Sequence, residues 1–175
     1  MNTKDMAYIS IFSIFIALCS WISIPTTIPF TLQTFGVFIT CLVLGGKKGT
    51  LSILLYILLG CIGIPVFANF SSGFGVLLGS TGGYIIGFLA TGLIMWFFER
   101  YSSKPWVVWL SMILGLIACY AIGTVWFMVV YAKNTGAIGL MSVLGWCVFP
   151  FIIPDFIKIV LAKVLANRLE KVVKR

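Results

Sequence analysis

One acid and one base lie three residues apart in an otherwise apolar stretch, PFIIPDFIKI, which runs from Pro150 to Ile159. On a helix, Asp155 and Lys158 share one face, so the carboxylate and the ammonium can bind each other or a common ligand. A charge at the centre of a membrane-spanning helix costs about 2.5 to 3.5 kcal/mol. We therefore expect both side chains to face the protein interior or a water-filled cavity. They form either a ligand site or an ion pair that only fixes helix packing.

The composition predicts that this stretch does lie in a membrane. The chain has 175 residues, of which 61% are hydrophobic and 9% are charged, and its mean hydropathy is +1.16. Soluble domains carry about 25% charged residues. No polar stretch is long enough for a separate soluble domain. We predict an integral membrane protein that forms a single domain over residues 1–175.

The residue inventory excludes several kinds of chemistry. Histidine is absent, which removes histidine-based triads, metal ligands and proton relays. The five cysteines lie in apolar runs without a CxxC spacing, so we expect packing residues rather than a metal site. Among the four acidic residues only Asp155 lies deep in an apolar segment. We therefore expect neither an intramembrane enzyme nor a metal or cofactor.

The apolar segments predict an all-α fold with six transmembrane helices. Their boundaries are about Met6–Ile24, Phe30–Leu44, Thr50–Ile64, Gly82–Phe98, Trp106–Tyr131 and Ser142–Ala166. The second and third segments are short, which is typical of helices that border a cavity or a re-entrant loop. In the sixth, prolines at 150 and 154 predict a helix that is kinked, or one that begins only at Pro154. The latter would put Asp155 in the first turn.

The positive charges predict the orientation. Of the twelve basic residues, Lys158 lies inside a segment and Lys133 lies on one side of the membrane. The others lie on the opposite side: Lys4, Lys47, Lys48, Arg100, Lys104, Lys163, Arg168, Lys171, Lys174 and Arg175. By the positive-inside rule both termini are cytoplasmic, in a multi-pass protein of the cell membrane. We read the first segment as a retained helix rather than a signal peptide. The net charge of +8 thus reflects topology and not nucleic-acid binding.

The predicted external connection from Pro65 to Tyr84 carries no charge and is rich in glycine, serine and aromatic residues. Such a loop is unusual in water unless it packs against the protein. We expect it to fold inward as a lid or as a wall of a binding site. Its GSTGG stretch lacks the features of a phosphate-binding loop.

Several motifs together resemble the BioY family, the biotin-binding S components of energy-coupling-factor transporters. They are IPFTLQTFGV (28–37), LGGKKGTLSILLYILLGCIGIPVFA (44–68), GVLLGSTGGYIIGF (75–88) and PDFIK (154–158). The resemblance implies a six-helix fold and a biotin site that opens to the outside. It also implies a membrane coupling protein and two cytoplasmic ATPases as partners, so that ATP is used only by those subunits. One departure is the serine at position 80, where family members often have proline.

Biotin offers ureido N–H donors, a ureido carbonyl, an apolar ring and a carboxylate tail. Asp155 would accept from a ureido N–H, and Lys158 would meet the ureido oxygen or the carboxylate. Further hydrogen bonds are expected from Asn69, Ser71, Ser72 and Gln33, and aromatic walls from Phe67 and Tyr84. Gln33 is explained equally well by a bond to a neighbouring helix. Two alternatives stay open: an S component for another vitamin, and a structural membrane subunit without a ligand.

In the first segment, Ser13 and Ala17 lie four residues apart on one helix face. Small residues at this spacing let another helix approach closely. That helix belongs either to this chain or to a partner. The family that the chain resembles uses such a face to bind the coupling protein, so we predict that Ser13 and Ala17 form the docking face.

Overall fold

A computed structural model describes residues 2–24, 29–136 and 138–173, and the chain is mostly helical. The helices are α1 (Thr3–Trp21), α2 (Gln33–Leu44), α3 (Gly46–Cys61), α4 (Phe74–Leu78), α5 (Gly82–Tyr101), α6 (Pro105–Thr135), α7 (Leu140–Cys147) and α8 (Phe149–Val173). Two short antiparallel strands, β1 (Ser23–Ile24) and β2 (Phe30–Thr31), form a hairpin after α1. Lys174 and Arg175 of the basic cluster, and Ile28 of the first motif, lie outside the described residues.

The helices pack closely where small residues face each other. The most extensive contact joins α5 to α6, while α2 packs on α8 and α1 packs on α3. A Cβ added at Gly87 of α5 would lie only 2.9 Å from the Cα of Cys119 in α6. In the same contact, the Thr91 hydroxyl donates to the carbonyl of Gly115 over 2.8 Å. Close backbone approach of this kind is how membrane helices associate in the absence of a hydrophobic driving force.

Three of the described helices, α1, α5 and α6, are long and apolar enough to cross a membrane, and α2 is a shorter apolar helix. With 12 residues, α2 extends for about 18 Å, well below the roughly 30 Å of hydrocarbon in a bilayer. The expectation of short second and third helices agrees with α2 and α3. The chain is thus a helical membrane protein, and the six spans with their orientation remain a prediction.

The sixth predicted segment is not one helix. It divides into α7 and α8 at Val148, whose backbone angles (φ −124°, ψ −58°) leave the helical region. Since α8 begins at Phe149, Pro154 lies inside it and Asp155 lies in its second turn. The alternative in which the helix begins at Pro154 is therefore wrong. Pro150 lies in the first turn of α8, where a missing N–H costs no helical bond.

The second segment also begins later than expected, because Phe30 and Thr31 pair with β1 and α2 starts only at Gln33. The N–H of Gln33 donates to the hydroxyl of Thr31 over 3.2 Å, which satisfies a donor that the first turn of a helix leaves unpaired. The side chain of Thr31, at the end of β2, therefore accepts a hydrogen bond from the first turn of α2.

The predicted docking face of Ser13 and Ala17 is buried in the isolated chain. Their exposed fractions are 1% and 3%, and α1 packs against α2 and α3 on this side. In the isolated chain these small residues therefore accommodate its own helices, and their role in docking the coupling protein stays a prediction. The outward face of α1 carries Ile11, Ile14 and Leu18, which are 47% to 59% exposed.

Candidate functional site

A cavity of about 400 Å³ lies between the hairpin, the loop before α5, and helices α5, α6 and α8. Seven of the residues singled out from the sequence line it: Gln33, Phe67, Asn69, Ser71, Tyr84, Asp155 and Lys158. Ser72 does not line this cavity. The loop that was expected to fold inward forms one wall, through Phe67, Ala68, Asn69, Ser71, Val76, Ser80 and Thr81.

Asp155 and Lys158 form a buried ion pair on the cavity wall. Lys158 Nζ lies 2.8 Å from Asp155 Oδ1, and the two residues are only 6% and 3% exposed. The hydroxyl of Tyr120, on α6, donates to Asp155 Oδ2 over 2.6 Å. Lys158 also donates to the carbonyl oxygen of Thr31 over 2.7 Å, and its Nζ lies 4.7 Å from the centroid of the Phe30 ring. The pair therefore joins α6, α8 and the hairpin.

These contacts stabilise the Asp155–Lys158 pair but do not use all of its hydrogen-bond donors and acceptors. An ammonium has three donors, and Asp155 and Thr31 take two of them. Each carboxylate oxygen accepts one bond and keeps a further lone pair. A buried pair needs such additional hydrogen bonds to offset the loss of hydration. The arrangement accounts for how two charges are tolerated here, and it leaves one donor and two acceptor positions for a ligand.

Gln33 belongs to a second buried set of hydrogen bonds behind the pair. Its side-chain oxygen accepts from the hydroxyl of Thr31 over 3.2 Å, and its amide nitrogen donates to the hydroxyl of Tyr56 in α3. Gln33 is 6% exposed and Tyr56 is fully buried. The expected bond to a neighbouring helix thus exists, and the Gln33 side chain also lies at the cavity wall.

The loop is held over the cavity by bonds to α1 and β1. The Trp21 indole donates to the carbonyl of Pro65 over 2.8 Å, and the Ser23 hydroxyl donates to Asn69 Oδ1 over 3.0 Å. Asn69 and Phe70 both have a φ of +56°, which is uncommon for residues other than glycine. Such strain persists where surrounding contacts fix the backbone. Asn69 thus lines the cavity, while its side-chain oxygen ties the loop to the hairpin.

The aromatic walls contribute mainly apolar surface. Phe67 is 1% exposed and packs edge-on against Tyr56, with ring centroids 5.5 Å apart. The Tyr84 hydroxyl is buried and has no hydrogen-bond partner among the described residues, as is also true of the Thr124 hydroxyl. The ring of Tyr84 fits tightly against Gly123 of α6, because a Cβ there would overlap it.

Sequence reasoning missed Thr31 and Tyr120, which bind the ion pair directly. Thr31 acts through its backbone carbonyl, for which a sequence carries no side-chain signal. Tyr120 lies within the uniformly apolar α6, where one aromatic residue is ordinary packing. A sequence offers only a general indication here: a buried carboxylate needs a hydrogen-bond donor, which can be a hydroxyl from another helix. Among the described residues, no group of three or more Cys, Asp or Glu side chains could hold a metal ion.

Known proteins are similar to this chain in sequence and in fold. The BioY family model matches residues 1–175. The biotin transporter BioY of Thermotoga maritima is 40% identical over 170 residues, covering 96% of each chain. A probable biotin transporter BioY of Pyrococcus horikoshii is 40% identical over 172 residues, covering 97% of this chain and 98% of the relative.

A solved structure, the S-component for biotin from an ECF-type ABC transporter, superposes with a TM-score of 0.83. The alignment covers 98% of this chain and 95% of the other, at 29% sequence identity. The family match over the whole chain, the two relatives and the shared fold agree: this chain belongs to the BioY family.

Proposed function

We propose that this protein is the biotin-binding S component of an energy-coupling-factor transporter. The observation that carries the proposal is the buried Asp155–Lys158 pair on the wall of a 400 Å³ cavity, in a chain of the BioY family. Small-molecule sites typically measure about 300 to 1,000 Å³ and combine apolar walls with few polar groups. Biotin needs this combination, because an apolar ring and chain connect its two polar ends.

The charge of the site favours one orientation of biotin. Because Asp155 lies 2.8 Å from Lys158, the two charges largely cancel, and the ammonium offers little net attraction to a carboxylate. A neutral ureido ring fits better, with an N–H donated to Asp155 and its oxygen accepting from Lys158. The carboxylate tail then points towards the loop, where the Asn69 amide and the Ser80 hydroxyl offer neutral donors.

The proposal includes the six spans, cytoplasmic termini and location in the cell membrane inferred from the basic residues. The hairpin and the Pro65–Tyr84 loop then lie outside, where they cover the cavity mouth. An ion pair of 2.6 Å between Asp5 and Lys48 joins the predicted cytoplasmic ends of α1 and α3. A membrane coupling protein and two ATPases complete the transporter, and this chain performs no catalysis itself.

The test is calorimetric titration of the purified protein with biotin, thiamine and riboflavin, after native mass spectrometry of any ligand retained on purification. We expect retained biotin and tight binding of biotin alone. Selective binding of another vitamin would reassign the substrate. If the protein is instead a structural subunit without a ligand, it should bind no vitamin. The transporter should then stay fully active when Asp155 is replaced by Leu and Lys158 by Met together.

A further inference from the structure

We propose that the biotin site also takes biotin amides, in which the carboxylate is joined to an amine, and that the added amine occupies a second cavity between α4 and the C-terminal end of α6. The inference rests on the proposed function and extends its substrate class from the free vitamin to conjugates such as biotinyl-lysine. Two features of the structure support it: the charges of the main cavity and the position of the second one.

The main cavity has no uncompensated charge that would select a free carboxylate. Among the described residues that line it, Asp155 and Lys158 carry the only charges, and they neutralise each other over 2.8 Å. The donors at the loop, the Asn69 amide and the Ser80 hydroxyl, are neutral. Such donors distinguish a carboxylate from an amide oxygen less strongly than a cation does, because a charge-assisted pair is missing. Conversion of the carboxylate into an amide should therefore cost little affinity.

The second cavity measures about 420 Å³ and lies on the other side of the loop. Its loop side includes Gly79 and Ser80, and its helix side is formed by Val130, Tyr131, Asn134 and Thr135 of α6. None of the described residues that line it is charged. Its walls combine apolar surface with hydroxyl and amide groups. This combination suits an aliphatic chain that ends in polar groups, as the side chain and backbone of a conjugated lysine do.

A single stretch of backbone separates the two cavities. Gly79 lines only the second cavity, Thr81 lines only the main one, and Ser80 lines both. The Trp126 indole of α6 donates to the Gly79 carbonyl over 2.9 Å, which holds this stretch beside the helix. In the proposed orientation the tail of biotin ends at the loop, beside Ser80. A group attached to that end therefore has to pass only Ser80 to reach the second cavity.

The first experiment titrates the purified wild type calorimetrically with biotin, with its primary amide and with biotinyl-lysine. We expect both amides to bind within about tenfold of biotin, because the only loss is the difference between a charged and a neutral hydrogen-bond acceptor. A larger loss for either amide would overturn the proposal, since it would show that the protein selects the free carboxylate or has no room beyond it.

The second experiment fills the second cavity. Val130→Trp should weaken the binding of biotinyl-lysine by about tenfold or more, because the larger side chain takes the space of the amine. The affinities for biotin and for its primary amide should stay within about twofold of wild type. The matched control is Val129→Trp, at the neighbouring valine of α6, which is 50% exposed and lines neither cavity. This control should leave all three affinities unchanged.

An unchanged affinity of Val130→Trp for biotinyl-lysine would overturn the proposal, because the amine would then leave the protein by another route. If this variant does not fold, or loses all three ligands, the same comparison is made with Thr135→Trp. Thr135 is exposed and lines the same cavity, so the substitution leaves the helix packing intact. Failure of the wild type to bind biotin itself would instead overturn the proposed function.

Discussion

Asp155 binds a donor at each carboxylate oxygen, so its replacement by asparagine keeps the shape of the side chain and removes the charge and one acceptor. Loss of a hydrogen bond to a charged group is worth about 1.5 to 3 kcal/mol. We expect Asp155→Asn to weaken biotin binding by roughly ten- to a hundredfold. Calorimetry on protein of normal thermal stability measures this. Unchanged affinity in folded protein would leave the pair with a packing role only.

Tyr120 gives a second prediction at the same pair. Tyr120→Phe leaves Asp155 Oδ2 without its 2.6 Å donor in a site that is almost inaccessible to water. We expect a loss of stability of about 1 to 3 kcal/mol in the empty protein, visible as a lower melting temperature in detergent. Added biotin should restore part of this loss, because a ligand N–H can bind the freed carboxylate. Tyr131→Phe, on the same helix but outside this cavity, serves as the control.

Individual charged residues were predictable because their burial is costly. Asp155 and Lys158 stand out in an apolar stretch. Because a charge that faces lipid is energetically costly, the two side chains are expected to lie together and away from lipid. The partners that make the burial tolerable were not predictable. The Thr31 carbonyl and the Tyr120 hydroxyl belong to distant parts of the chain, and only the packing of β2, α6 and α8 brings them to the pair.

Among the helices, α1 offers the clearest test, because its two faces have different neighbours. Tryptophan at both Ser13 and Ala17 must displace α2 or α3, since these residues are nearly fully buried. We expect this double variant to lose thermal stability and biotin binding together. Overpacking a well-packed interior typically costs about 1 to 3 kcal/mol at each site.

The control for this experiment is the outward pair Ile14→Trp with Leu18→Trp, whose positions are 56% and 47% exposed. We expect this variant to bind biotin normally. Both double variants are then co-purified with the coupling protein. If the Ser13 and Ala17 variant keeps biotin but loses the coupling protein, these residues do form the docking face and the packing seen here rearranges on assembly.

Hydropathy located the helices but not their ends. The apolar segments correspond to α1, α2, α3, α5 and α6, since apolar runs are needed to span a membrane. The break at Val148 was missed, because the apolar run continues through it and the backbone turns without a glycine. The hairpin was missed because its strands are two residues each, which is too short for an alternating pattern to appear.

For the complete protein, the predicted orientation in the membrane decides to which side the cavity opens. We expect membrane-impermeant maleimide to label Phe74→Cys in intact cells, because this side chain is 65% exposed on the predicted external side. Lys47→Cys should react only after the membrane is opened. The five native cysteines require a cysteine-free background as the reference. Labelling with the opposite pattern would place the cavity mouth in the cytoplasm.

The opposite charges of the buried Asp155–Lys158 pair cancel each other, and this determines how the site responds to a membrane potential. Moving one unit charge across a membrane potential changes its energy by about 2.3 kcal/mol per 100 mV. Because Asp155 and Lys158 carry opposite charges only 2.8 Å apart, a transport step that moved the empty site across the membrane would carry no net charge through the field at this pair. A potential imposed on proteoliposomes should therefore leave the rate of that step unchanged, whereas Asp155→Asn, which leaves the ammonium uncompensated, should make the step depend on voltage.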